Sequence, residues 1–145
     1  MQEQTPTLRA EKDHGQFAGL YRASGLELGE DWLRENHPVY SVSLRAEGRL
    51  LGAATVSHRL GRYILDYIAM EPRCRGLGLG KRLAEDCLDW CRRQGAAALW
   101  LAARTPGFFY ALGAEATGGR ELLAECVGCP DYETICRPIE MKFEI

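Results

Sequence analysis

No stretch of this 145-residue chain is apolar for long enough to cross a bilayer. The longest run, Ala96 to Ala103, falls far short of the roughly 20 residues a membrane helix needs. No charge of one sign dominates either: 18 basic residues face 20 acidic ones, a net charge of −2. Without a basic tract, nucleic acid is not expected as the main partner, and no membrane partner is expected. Repeats, low-complexity segments and linkers are all missing, which points to one domain over residues 1–145. The stretch from Met1 to Asp13 is polar and lacks the apolar centre of a secretory leader. A cytoplasmic location is the expectation that follows. Histidines are few and isolated (His14, His37 and His58), and no H-E-x-x-H pattern occurs.

What the chain has in quantity is apolar side chain. Hydrophobic residues make up 46% and charged residues 26%, enough for a packed core and too much for disorder. Six cysteines in a chain with no visible export signal read as reduced thiols. Cys126, Cys129 and Cys136 have a metal-like spacing but leave a closed zinc site one ligand short, so no metal is expected. Cys87 and Cys91 stand four residues apart on an apolar helix face and read as core.

Periodicity orders the elements. Thr7 to Ala10 reads as a short strand. Asp13 suits an N-cap before Phe17, Leu20 and Tyr21, and Gly25 suits the end of that helix. A second short helix is expected at about Asp31 to Glu35. Tyr40 to Ala46, Leu50 to His58 and Tyr63 to Met70 form a three-stranded antiparallel meander with turns at Glu47-Gly48 and Leu60-Gly61-Arg62. From Leu79 the period becomes helical through Arg93. Ala98 to Ala102 is a buried strand, Pro106 to Leu112 a turn or two of helix, and about Pro138 to Phe143 a last strand. The order β-α-α-β-β-β-α-β-α-β-β is that of a mixed α/β domain.

The most informative stretch joins the third meander strand to the long helix: Arg73-Cys74-Arg75-Gly76-Leu77-Gly78-Leu79-Gly80-Lys81-Arg82-Leu83. Three alternate glycines let backbone N–H groups converge on one spot, and the helix adds its free N–H groups and positive dipole end. Arg75 and Lys81 add full charges. Such a site suits a pyrophosphate. The Gly76-x-Gly78-x-Gly80 spacing does not fit the dinucleotide fingerprint, and no acid lies near residues 96–99 to meet a ribose. Gly76 to Gly80 is too short for a Walker A loop, and Arg82 stands where Ser or Thr is required.

Residues 68–83 resemble the acetyl-CoA signature of the GNAT acetyltransferases, a strand ending in V-x-P followed by R-G-x-G-x-G and a helix. Met70 stands where that family usually has Val. The shorter form Q/R-x-x-G-x-G/A fits in two frames, Arg73 with Gly76 and Gly78, or Arg75 with Gly78 and Gly80. Downstream, Phe108-Phe109-Tyr110-Ala111-Leu112-Gly113-Ala114 is similar to the family's F-Y-x-x-L-G-F segment. The resemblance covers about residues 50–115.

The resemblance implies the GNAT fold: a mostly antiparallel central sheet with a splayed parallel pair of strands, flanked by helices. It implies acetyl-CoA as co-substrate, with pantetheine paired to backbone groups of Ile68 and Met70. The amides from Arg75 through Gly76, Gly78 and Gly80 to Lys81 would hold the pyrophosphate, and an N–H near Met70 would meet the developing oxyanion. The acceptor would be a small-molecule or peptide amine, and the protein a monomer or homodimer. An alkyl ammonium must lose a proton before it attacks. The family position for a catalytic Glu is Ile64 here. Simple alternation puts Ile64, Asp66, Ile68 and Met70 on one strand face, so Asp66 is the candidate base. A bulge or a structural ion pair would equally explain it. Glu71 and His58 are weaker candidates. The family's Tyr acid corresponds to Phe109, with Tyr110 one residue, roughly 100° of helix, away. Tyr110 is the candidate acid, or else a packing residue. Glu27, Glu30, Asp31 and Glu35 would either draw a cationic amine or form a solvated face. The alternative to transfer is a non-catalytic module that binds acetyl-CoA or another acyl-CoA.

Overall fold

The computed structural model describes residues 6–123 and 137–145. Cys126, Cys129 and Cys136 lie outside the described residues. Seven strands form one sheet: β1 (Thr7–Glu11), β2 (Pro38–Ala46), β3 (Arg49–Arg59), β4 (Arg62–Met70), β5 (Ala98–Ala103), β6 (Glu115–Ala116) and β7 (Ile139–Glu144). Their order in space is β1-β2-β3-β4-β5-β7-β6, antiparallel except for the β4–β5 pair. Among the described residues four helices flank it: α1 (Ala18–Ala23), α2 (Trp32–Asn36), α3 (Leu79–Arg93) and α4 (Pro106–Ala111). This is the element order and the mixed α/β class that the hydrophobic periodicity predicts.

The two faces of the sheet bury two apolar clusters. Ala53 and Ala54 are neighbours on β3 and therefore point to opposite faces. Ala53 packs with Phe17, Tyr21 and Trp32 from the first two helices, whereas Ala54 packs with Leu83, Cys87 and Cys91 of α3. The buried residues of α3 include Leu83, Ala84, Cys87, Leu88 and Cys91, one stripe at helical spacing. Trp90 at the edge of that stripe stacks on Tyr40, with ring centroids 4.8 Å apart.

Asp13 does not cap α1. A 3-10 turn, His14–Phe17, intervenes, and Asp13 makes no side-chain cap bond. Its carbonyl instead accepts a 2.9 Å bond from Gln16 Nε2. α1 is held from below by hydroxyls. Tyr21 Oη bonds Thr55 Oγ1 at 2.8 Å, Thr55 bonds Ser41 Oγ at 2.8 Å, and Ser41 bonds His14 Nδ1 at 2.7 Å. This chain satisfies polar groups that burial would otherwise penalise.

Candidate functional site

β4 and β5 start as a parallel pair and then part. Only Tyr63 with Leu99 and Ile64 with Trp100 are in register. Beyond Ile64, β4 keeps β3 on one edge through Met70, while β5 keeps β7 on its far edge through Ala103. The facing edges lose each other, and their backbone N–H and C=O groups need another partner. A cavity of about 450 Å³ fills the gap, walled by Ile68, Met70 and Asp66 on one side and Leu101 to Thr105 on the other.

The start of α3 borders this cavity. After Met70, Pro72–Cys74 forms a 3-10 turn and Arg75 is extended. Gly76 and Gly78 have φ of +81° and +75°, values that L side chains rarely adopt, and Gly78 is the N-cap of α3. A Cβ added at either would meet no atom within 4 Å, so the space over the loop is open. At Gly80 the constraint is space, not backbone conformation. A Cβ there would sit 3.3 Å from Phe108 Cζ across the cavity. Among the described residues Arg75 makes no ion pair, while Lys81 Nζ lies 3.7 Å from Glu85 Oε1, an exposed contact of little strength. A loop of open backbone amides, a helix N-terminus and a free guanidinium fit a pyrophosphate, and the unpaired strand edge beside them fits an extended amide-bearing arm.

The structure brings Asp66, Ile68, Met70, Arg75 and Gly80 to one cavity; Gly76, Gly78 and Lys81 are outside its wall, on the loop and first turn that Arg75 and Gly80 belong to. It does not bring Tyr110 there. Tyr110 is 48% exposed and outside the cavity wall, whereas Phe109, 8% exposed, lines it. The aromatic ring at the family's tyrosine position therefore carries no proton to give.

The expected shared face of Ile64, Asp66, Ile68 and Met70 is corrected by the register. Thr55 pairs with Tyr67 and Val56 with Leu65, leaving Asp66 as the extra residue of a β-bulge. The bulge shifts the alternation by one. Leu65 packs in the α3-side cluster with Met70, with Ile68 against it, while Tyr67 and Ala69 pack on the α1 side. Asp66 is held there by a residue that nothing in the sequence singles out. Arg59 donates from Nη1 to Asp66 Oδ2 at 2.5 Å and from Nη2 to Oδ1 at 2.8 Å. The two side chains are only 14% and 9% exposed. Arg59 also bonds the carbonyl of Asn36 at the end of α2, at 3.1 Å. A two-pronged pair of this kind is strong, and it occupies both carboxylate oxygens.

The weaker candidates are placed elsewhere. Glu71 Oε2 takes 3.0 and 3.2 Å contacts from Arg49 and Arg73 at the surface. His58 is exposed against the ring of Tyr63. Glu27, Glu30, Asp31 and Glu35 are exposed and outside the cavity wall, and Asp31 pairs with Arg34 at 2.8 Å. Among the described residues no group of His, Cys, Asp and Glu could hold a metal ion, and no helix is long and apolar enough to cross a membrane.

Solved structures of low identity share this architecture. A structure of N-acetylglutamate synthase from Neisseria gonorrhoeae, complexed with coenzyme A and N-acetyl-glutamate, matches with a TM-score of 0.72 at 19% identity. The match covers 99% of this chain but 36% of that one, so this chain spans about a third of that protein's length. The ribosomal-protein-S18-alanine N-acetyltransferase of Escherichia coli matches at 21% identity over 97% of this chain and 94% of that one, with a TM-score of 0.71. A GNAT family acetyltransferase from Elizabethkingia anophelis with acetyl-CoA bound matches at 12% identity over 97% and 98% of the two chains, with a TM-score of 0.75. No curated protein matches the sequence. The family model for the acetyltransferase (GNAT) family matches residues 7–113, across the splayed strands, the glycine loop and α4. With that match over most of its length, the chain belongs to the acetyltransferase (GNAT) family.

Proposed function

We propose that the protein transfers the acetyl group of acetyl-CoA to an amine by direct attack within a ternary complex. The observation that carries this reading is the parting of β4 from β5 beside the glycine loop, which leaves an extended backbone edge and an anion cradle in one cavity. Backbone groups of Ile68 and Met70 pair with the pantetheine arm. The Arg75 N–H is taken by the Pro72 carbonyl at 3.3 Å, so amides of Gly76, Gly78, Gly80 and Lys81, with the Arg75 guanidinium, hold the pyrophosphate. The N–H at Met70 faces the thioester oxygen and stabilises the charge that develops on it. Holding the two reactants together supplies much of the acceleration.

Proton handling follows from the residues in the wall. A proton on Asp66 would have to displace Arg59, so Asp66 serves as a fixed anion that holds the bulge, and the ammonium proton leaves to water. The thiolate also takes its proton from water; thiols ionise near pH 8.5, far below an alcohol, so this leaving group needs little help. Matched structures named for N-acetylation of glutamate and of a ribosomal-protein alanine support an amino-group acceptor.

One observation favours a second reading, a non-catalytic acyl-CoA-binding module: the cavity wall presents Phe109 where the family has its acid. Release of the CoA thiol from acetyl-CoA, followed across amino acids, polyamines, aminoglycosides and peptide N-termini, separates the two. Transfer predicts release with at least one amine class and an unchanged rate in Tyr110→Phe. Acetyl-CoA binding in calorimetry with no release on any amine supports the binding module, and a large loss in Tyr110→Phe restores Tyr110 as the acid.

A further inference from the structure

An amine arrives at neutral pH as a cation, and a cavity that admits it must offer negative charge or take an acceptor that brings its own. Among the described residues, three charged side chains line the cavity between β4 and β5: Asp66, Arg75 and Arg104. Asp66 is neutralised by its two-pronged pair with Arg59. Arg75 stands by the glycine loop, where the proposed pyrophosphate neutralises it in turn. The exposed acids of the α1–α2 segment are outside the wall. Among the described residues of the wall, Arg104 is left with no opposite charge beside it.

Arg104 follows β5 directly and reaches across the mouth of the cavity to the end of α1. Its Nη1 donates to the carbonyl of Gly25 at 2.5 Å. Gly25 has φ +83°, and the N–H groups of Gly25 and Leu26 close α1 on the carbonyls of Arg22 and Tyr21, each at 3.0 Å, so that carbonyl is a fixed perch. Ser24 and Leu26 beside it line the same cavity. Among the described residues no carboxylate pairs with Arg104, and its Nε and Nη2 make no hydrogen bond. A guanidinium anchored by one nitrogen, with its other N–H groups free, is oriented to take a carboxylate.

Resting on the transferase reading above, we infer that the acceptor is a small amine carrying its own carboxylate, an amino-acid-like zwitterion, and that Arg104 grips that carboxylate. The acceptor then brings its own counter-charge into a wall of positive balance, and a bare alkylamine or polyamine does not. In the transfer, the ammonium first gives one proton to water. The freed nitrogen lone pair forms the N–C bond at the acetyl carbon, the C–S bond breaks with its electron pair on sulfur, and a second N–H proton goes through water to the thiolate. The products are the N-acetylated acid, free CoA thiol and one released proton.

The test measures thiol release from acetyl-CoA by the 145-residue chain with matched acceptors: leucine against isoamylamine, phenylalanine against phenethylamine, and each amino acid against its carboxamide. Arg104→Gln and the charge-keeping Arg104→Lys are assayed alongside, with thermal melting as the check that they fold. The expected preference for the acid is about 100-fold or more in kcat/KM, the scale on which truncating one partner of a charge pair acts. Arg104→Gln should reduce it to within a few-fold, Arg104→Lys should restore part of it, and the acetyl-CoA dissociation constant should stay put in both. Transfer to amines and acids alike overturns the inference and leaves the transferase reading standing. So does a preference that survives in Arg104→Gln, or an Arg104→Gln variant whose defect is weaker acetyl-CoA binding. Acetyl-CoA binding with no release on any acceptor removes the transferase reading, and this inference falls with it.

Discussion

Both carboxylate oxygens of Asp66 lie on one guanidinium, that of Arg59. Because the pair is nearly buried, breaking one side leaves an uncompensated charge, a loss of about 3–5 kcal/mol. Asp66→Asn should therefore lower the urea midpoint strongly, and Arg59→Met with Asp66→Leu should recover much of it. A double variant no better than the single would show that the pair does not act as a unit. His14 carries a pH effect set by burial. Burial outweighs the attraction of Asp13 and holds its pKa below the ordinary 6.5. Above that value both the folded and unfolded forms are neutral there. As pH falls through 6.5 the unfolded chain takes up a proton and the folded one resists, so stability declines. Urea midpoints between about pH 7.5 and 5 should fall less steeply in His14→Gln than in the parent; equal slopes would clear His14 of that role.

At the scale of elements, β4 shows how far a sequence can be read. Its existence, its ends and the glycine loop after it follow from β-branched and aromatic residues closed by Pro72 and from the change of period at Leu79. The bulge does not, because a single extra residue leaves no mark on composition. One unmarked residue turned the expected face over, sending Leu65 to the side of Met70 and placing Asp66 against Arg59. The splay of β5 was legible only through family resemblance, since a buried strand reads the same whether or not its neighbour stays paired. Phe109 was legible as a departure from the family pattern, and its place in the cavity wall gives that departure a consequence. Arg104 left no signal, because its meaning depends on Gly25 at the far end of α1. In α3 the reading was direct. Cys87 and Cys91 are fully buried, and burial raises the Cys91 thiol to about 11 and Cys87 well above its usual value. Both should resist maleimide in the native protein at neutral pH and react only at the rate of unfolding. Fast labelling of either without loss of structure would contradict the core assignment of α3.

For the whole molecule, one sheet carries both structure and binding. Its two faces bury the α1–α2 and α3 clusters, and the break between β4 and β5 is where packing gives way to a ligand gap. A ligand that supplies the missing strand contacts should stabilise the folded state in proportion to its affinity. The most direct test is a calorimetric titration of acetyl-CoA into the 145-residue chain and into Gly78→Ala. Gly78 adopts φ +75° over open space, so a side chain there strains the loop without filling a core. The expected result is one acetyl-CoA per chain, a melting temperature that climbs with ligand concentration, and binding weakened about tenfold or more in Gly78→Ala, the scale of roughly 1–2 kcal/mol for left-handed strain. An absence of heat and of thermal protection in the parent chain, or equal binding in Gly78→Ala, would contradict the assignment of the β4–β5 gap and its glycine loop to acetyl-CoA.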